Sequence, residues 1–118
     1  MTIKDAIDRV DAIVANEIPE KEKRRWLGSL DGILAREVHQ NRNLPMDSGE
    51  EAQDDTVLLV PFPYDEVYIS YLEMRICDAN GEITRYNNAM QKYNGALLSY
   101  MDYVSRTYPA AGAKVWLY

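Results

Sequence analysis

The second half of the chain carries an apolar heptad repeat. Its members are separated alternately by four and three residues: Leu72, Ile76, Ala79, Ile83, Tyr86, Met90, Tyr93, Leu97, Tyr100 and Val104. A period of 3.5 residues held this long predicts a helix that keeps one stripe against partner helices. At 1.5 Å per residue the stripe would span about 50 Å. Because 118 residues do not easily cover so long a helix, the repeat also predicts contacts with another subunit.

The dipeptide Asn80-Gly81 interrupts this repeat with residues that favour a turn. Ala79, Ile83 and Tyr86 nevertheless continue the spacing across it. This continuity favours one long C-terminal helix with a kink at Gly81, and two antiparallel helices are the alternative interpretation.

The first forty residues predict two shorter helices. Thr2, with Asp5 three residues later, is suited to cap the first helix, and Pro19 suits the first turn of a second helix that runs to about His39. The apolar positions of the first are Ile3, Ala6, Ile7, Val10, Ile13 and Val14. Those of the second are Trp26, Leu27, Leu30, Ile33, Leu34 and Val38. The sequence therefore predicts an all-α fold in which two shorter helices pack on the long third helix.

Residues 1–109 are predicted to form a single helical domain that contains two irregular segments. Residues 40–56 read as an acidic loop, and residues 56–63 as an extended segment that could lie along a neighbouring subunit. Residues 110–118 form a predicted C-terminal arm, in which small residues are followed by Val115, Trp116, Leu117 and Tyr118. Large apolar side chains after a flexible start predict that the arm docks, either on a neighbouring subunit or on its own bundle.

Charge and hydropathy exclude several classes of protein. The net charge is −6, and residues 47–66 hold seven acidic residues and no basic one. Without a basic surface, tight binding to nucleic acid is not expected. No apolar run reaches the roughly 18 residues that a membrane span needs, and the N-terminus does not resemble a secretory signal. The single cysteine, Cys77, is predicted to be a packed thiol in a reducing compartment.

Residue chemistry predicts neither an enzyme nor a cofactor or metal site. His39 is the only histidine, and its expected role is to place favourable charge at a helix C-terminus. One histidine and one cysteine cannot complete a structural zinc site, and residues 47–55 lack the ligand spacing of an EF-hand. Phosphate-binding glycine loops are also absent from the sequence.

Tyrosine is unusually abundant. The chain has nine tyrosines and one phenylalanine, and eight of the tyrosines lie between Tyr64 and Tyr108. Tyrosine buries area while its hydroxyl stays available to a partner, which suits interfaces; a tyrosine-rich core edge is the alternative. The predicted interface residues are Tyr86, Tyr93, Leu97, Tyr100, Val115, Trp116, Leu117 and Tyr118.

Three stretches resemble small structural proteins of phages and prophages. They are TIKDAIDRVD (2–11), WLGSLDG (26–32) and LLVPFPYDEVYISYLEMRICDANGEITRYNNAMQKYN (58–94), the last with a VPxPYDExY entry and an NGE…RYNN run. The resemblance is to head-tail connector proteins, also called adaptor or head-completion proteins. It implies an all-α, non-enzymatic subunit that self-assembles into a ring between the portal and tail proteins. A virion protein assembled in the bacterial host cytoplasm is therefore expected, and a non-virion helical regulatory or protein-binding module is the alternative.

Overall fold

The computed structural model describes residues 1–46 and 53–108, and this part of the chain contains four α-helices and no β-strand. The helices are α1 (Ile3–Ile13), α2 (Glu20–Leu34), α3 (Glu66–Asn80) and α4 (Ile83–Thr107). A single π-helical turn, Ala35–His39, continues α2. The predicted all-α class is confirmed. The predicted arm, residues 110–118, and part of the predicted acidic loop lie outside the described residues.

The first helix begins with the predicted capping box. The Thr2 hydroxyl accepts a hydrogen bond from the Asp5 amide, and the Asp5 carboxylate accepts one from the Thr2 amide, both at 3.1 Å. These bonds satisfy two backbone donors that the start of a helix would otherwise leave unpaired. The apolar face of α1 is thereby directed into the core, where Ile3, Ile7 and Val10 are buried.

The predicted long C-terminal helix is two helices. The chain reverses at Gly81, whose φ of 74° lies in the left-handed region that glycine adopts without strain. The Gly81 amide donates to the Asp78 carbonyl at 3.2 Å, and the Glu82 amide donates to the Cys77 carbonyl at 2.9 Å. This pair of hydrogen bonds is a Schellman motif, which ends α3 and turns the chain back along it.

The heptad spacing fails to reveal this turn because the two arms of an antiparallel hairpin need the same apolar stripe. Leu72 and Ile76 are buried on α3, and Leu97 packs against the core from α4. The stripe is broken only at the turn itself, where Ala79 and Ile83 are exposed. The hairpin covers its own stripe, so the argument for a second subunit from helix length no longer applies.

Helix α3 lies at the centre of the fold and contacts the other three helices. Eight of its 15 residues are buried, whereas only Ala89, Tyr100 and Val104 are buried among the 25 residues of α4. Cys77 is fully buried on α3, as predicted, and burial raises the pKa of its thiol. Helix α4 is therefore an edge helix that packs on α3 with one face and leaves much of its surface uncovered.

The extended segment 56–63 packs on its own chain rather than reaching away from it. Leu58 and Val60 are buried, and the Leu58 amide donates to the Met1 carbonyl at 2.9 Å. Thr2 and Val57 form an isolated antiparallel bridge. Leu58 and Val60 thus complete the core of the single chain, whereas Val57 and Phe62 remain exposed, so contact of this segment with a neighbouring subunit stays a prediction.

Candidate interaction surfaces and a buried polar cluster

Four buried polar side chains, Asp31, His39, Tyr68 and Tyr100, form what we call the polar cluster. The Tyr68 hydroxyl donates to Asp31 Oδ1 at 2.5 Å, and the Leu59 amide donates to Asp31 Oδ2 at 3.0 Å. The Tyr68 hydroxyl in turn accepts the Val60 amide at 2.8 Å. One carboxylate on α2 thus joins α3 and the extended segment.

Burial has the largest effect on the pKa values of Asp31 and Tyr68. Asp31 is 2% exposed, and its desolvation raises the pKa of the carboxyl group, although the hydrogen bonds from Tyr68 and Leu59 act in the opposite direction. Burial and the adjacent carboxylate also raise the pKa of Tyr68. The tyrosine therefore stays protonated and keeps its donor hydrogen.

The other half of the cluster is built on His39. Its Nδ1 lies 2.6 Å from the Pro45 carbonyl oxygen, and its Nε2 lies 2.5 Å from the Tyr100 hydroxyl. A carbonyl can only accept, so Nδ1 donates, and in the neutral ring Nε2 accepts the hydroxyl hydrogen of Tyr100. Burial raises the pKa of Tyr100 to about 12, which preserves that hydrogen at neutral pH.

The predicted role of His39, a favourable charge at a helix C-terminus, missed the contacts that its side chain makes in the interior. The side chain is 1% exposed and connects the end of α2 to α4, with Tyr100 equally buried opposite it. The sequence could not show this, because the partner lies 61 residues away along the chain. The polar cluster therefore fixes how α2, α3 and α4 pack.

Tyr100→Phe is expected to lower the free energy of unfolding by about 1–2 kcal/mol, because the ring packing remains while His39 Nε2 loses its buried partner. Urea unfolding followed by circular dichroism measures the change. Tyr86→Phe removes a hydroxyl from a partly exposed tyrosine of the same helix, and it should cost less than about 0.5 kcal/mol. Equal losses in the two variants would show that the His39–Tyr100 hydrogen bond contributes no stability of its own.

The predicted interface residues divide into two groups. Tyr86, Tyr93 and Leu97 are half-buried and pack against the core, and Tyr100 is fully buried. Their side chains build the α3–α4 hairpin, and a role between subunits stays a prediction. Val115, Trp116, Leu117 and Tyr118 lie outside the described residues.

Large apolar side chains are exposed on three other surfaces. Ile33 and Met46 border a groove on α2 that also includes Ser29, Gly32, Arg36 and Glu37. Leu98 and Met101 lie one turn apart on α4, and Val57 and Phe62 lie on the extended segment. Exposed apolar groups that lie side by side are typical of surfaces that contact other proteins. Sequence reasoning placed Ile33 on the apolar face of the second helix and singled out residues 56–63 as a segment, but it did not identify Met46, Leu98 or Met101.

Among residues 1–46 and 53–108 no helix is both long enough and apolar enough to cross a membrane. The same residues contain no group of three or more histidine, cysteine, aspartate and glutamate side chains placed to hold a metal ion.

The fold defines a small helical protein. Its polar cluster is buried, and several of its large apolar side chains are exposed on the surface. Comparison with protein-family models, with curated proteins and with solved structures finds no match to this chain.

Proposed function

We propose that the protein is a structural subunit of a phage or prophage virion, and that it forms a ring between the portal and tail proteins as a head-tail connector. The observation that carries the proposal is the exposure of large apolar side chains in three parts of the chain: α2 with the loop that follows it, the extended segment, and α4. Ile33 on α2 is 57% exposed and Met46, in the loop after the π-helical turn, is 45% exposed, while Leu98 is 65% exposed on α4. Phe62, on the extended segment, is 84% exposed.

A ring subunit needs several contact surfaces at once. It meets two neighbours through heterologous contacts, and further proteins above and below the ring. A subunit with one partner needs only one such surface, so three separated apolar surfaces favour an assembly role. The sequence resemblance to connector proteins supports the choice of this particular assembly.

The charge distribution is compatible with a passage for DNA. The chain carries a net charge of −6, and its excess of acidic residues is concentrated in residues 47–66. Acidic groups repel the phosphate backbone and would let DNA slide past without binding. We therefore propose that the subunit contacts proteins tightly and nucleic acid weakly.

The groove on α2 favours one alternative, a non-virion helical regulatory or binding module. The small residues Ser29 and Gly32 line the groove together with Ile33 and Met46, which suits an amphipathic helix from another protein. Such a module would bind one partner in a defined ratio and would form no ring.

The proposal is tested by mixing the purified chain with the portal protein of the phage or prophage that encodes it. Electron microscopy and light scattering are expected to show a ring of subunits on the portal. Ile33→Asp should prevent this assembly, because it adds a charge to an exposed apolar contact, while the melting temperature stays near that of the wild type. Glu37→Asp, in the same groove, is the matched control and should assemble normally.

Two results would contradict the connector role. One is a chain that remains free of the portal at high concentration. The other is a gene that lies among metabolic genes, with no portal or tail genes near it.

A further inference from the structure

The outward face of α4 lacks charge along most of its length. Six exposed residues share this face: Asn87, Gln91, Asn94, Leu98, Met101 and Ser105. The basic residues Arg85 and Lys92 are directed instead to Glu73 of α3, each at 3.5 Å. Asp102 lies one turn after Leu98 on the same side of the helix, and it is paired with Arg106 at 2.9 Å. A solvated helix surface usually carries many charges, so this composition indicates a surface that another protein covers.

Gly95 is the second observation, and it is independent of the first. It lies in the middle of α4, where glycine favours the helix less than alanine does. A Cβ atom built at Gly95 would meet no atom of the described residues within 4 Å. Nothing in the described part of the chain therefore requires a glycine at this position. The close approach of a second helix would require one.

We propose that two copies of this chain pair through the outward faces of α4, with the helices antiparallel and Leu98 of each copy seated over Gly95 of the other. A two-fold axis that passes between residues 96 and 97 produces both contacts at once. An exposed leucine then fills the space left by a glycine, twice in the same interface.

The charges agree with this register. Asp102 of one copy faces Gln91 of the other, and Asn94 faces Ser99, since residues placed symmetrically about the axis lie opposite each other. No like charges are brought together, and the polar residues of the face meet groups that can form hydrogen bonds, whereas Lys92 lies opposite Met101 and keeps its ion pair with Glu73. The Asp102–Arg106 pair lies towards one end of the contact, where Arg106 faces Asn87 of the other copy.

The size of the face sets the expected affinity. From Asn87 to Ser105 the face is about 27 Å long at 1.5 Å per residue. Two such faces bury on the order of 1,000 Å² in total, which is at the lower limit for specific interfaces. A reversible dimer with a dissociation constant in the micromolar range is expected. A two-fold pair closes at two copies and covers the α4 surface, so this inference does not depend on the proposed ring, whose neighbours would then meet through the other exposed surfaces.

Gly95→Leu is the decisive variant, because the pairing predicts opposite effects on the fold and on the dimer. Leucine favours the helix and has free space in the single chain, so the melting temperature of the dilute protein should stay the same or rise by a few degrees. The dimer should weaken at least tenfold, because the added side chain separates the two helices. Sedimentation velocity over a concentration series measures the dimer, and the wild-type mass should rise from 13.6 kDa to twice that value.

Two further variants complete the experiment. Leu98→Ala removes the other partner of the contact and should also weaken the dimer at least tenfold, with little change in melting temperature. Lys21→Leu adds an apolar group to an exposed position on α2 and should leave the dimer unchanged. The proposal is overturned by a wild type that is monomeric up to about 1 mM, by variants at Gly95 and Leu98 that dimerise normally, or by an oligomer larger than two that depends on these residues.

Discussion

Asp31→Ala is expected to lower the free energy of unfolding by about 3 kcal/mol. The substitution leaves the Leu59 amide and the Tyr68 hydroxyl without their acceptor in the interior of the protein. Each orphaned donor costs about 1–3 kcal/mol, and relief from desolvating the carboxylate offsets part of the sum. Urea unfolding at neutral pH, followed by circular dichroism, measures the loss.

Asp31→Asn is the matched control, because it keeps the size of the side chain and one acceptor oxygen. It should cost about 1–2 kcal/mol less than the alanine variant, since one of the two donors retains a partner. If both variants unfold like the wild type, then Asp31 does not hold the extended segment to α2 and α3.

The pH dependence of stability provides a second measurement on the same residue. Burial raises the folded-state pKa of Asp31 above its ordinary value of 3.8, so the folded chain takes up this proton at a higher pH than the unfolded chain. Relative to Asp31→Asn, the wild type should therefore gain stability as the pH falls from that raised pKa towards 3.8. A difference that changes in the opposite direction would show that the hydrogen bonds to the carboxylate outweigh its desolvation.

Local signals in the sequence are sufficient to predict the first two helices. The capping box depends on Thr2 and Asp5 alone, and the second helix was predicted to run to about His39, where the π-helical turn ends. Such features involve residues a few positions apart, whose interactions follow from helix geometry. They could be predicted because no distant part of the chain alters them.

The hairpin and the polar cluster depend on contacts between distant residues, and the sequence did not resolve them. Asn80-Gly81 was recognised as a turn signal, but the continuous apolar spacing outweighed it. Periodicity reports which face of a helix is buried, and it does not report whether the covering helix belongs to the same chain. For the same reason Tyr100 is among the predicted interface residues, with a tyrosine-rich core edge as the alternative, and in the structure its ring packs against Tyr64 at 5.7 Å inside the domain.

The outward face of α4 is another feature that the apolar spacing of the sequence does not reveal. Leu97 belongs to the heptad stripe, and Leu98 immediately follows it, so the sequence identified the first and passed over the second. In the structure Leu97 packs against the core, while Leu98 is 65% exposed. Two adjacent leucines on one helix therefore serve different contacts, and substitution can separate them.

Leu97→Asp is expected to lower the free energy of unfolding by about 2–4 kcal/mol, because an unpaired charge would enter the apolar contact between α3 and α4. Leu98→Asp should change that free energy by no more than about 0.5 kcal/mol, since its charge remains in water. Thermal and urea unfolding of the two variants at low protein concentration measures the difference.

For association the order of the two variants is reversed, and Leu98→Asp is the one expected to act directly on the dimer. Leu98→Asp places a carboxylate over Gly95 of the second copy and beside its uncharged face, so the dimer should be lost at concentrations where the wild type pairs. If Leu98→Asp pairs like the wild type while Leu97→Asp unfolds, the hairpin stands and the outward face of α4 is not the contact. If both variants melt like the wild type, the inward stripe is not buried, and the hairpin itself is wrong. A stable Leu98→Asp chain that no longer pairs would instead separate folding from assembly at neighbouring residues of one helix.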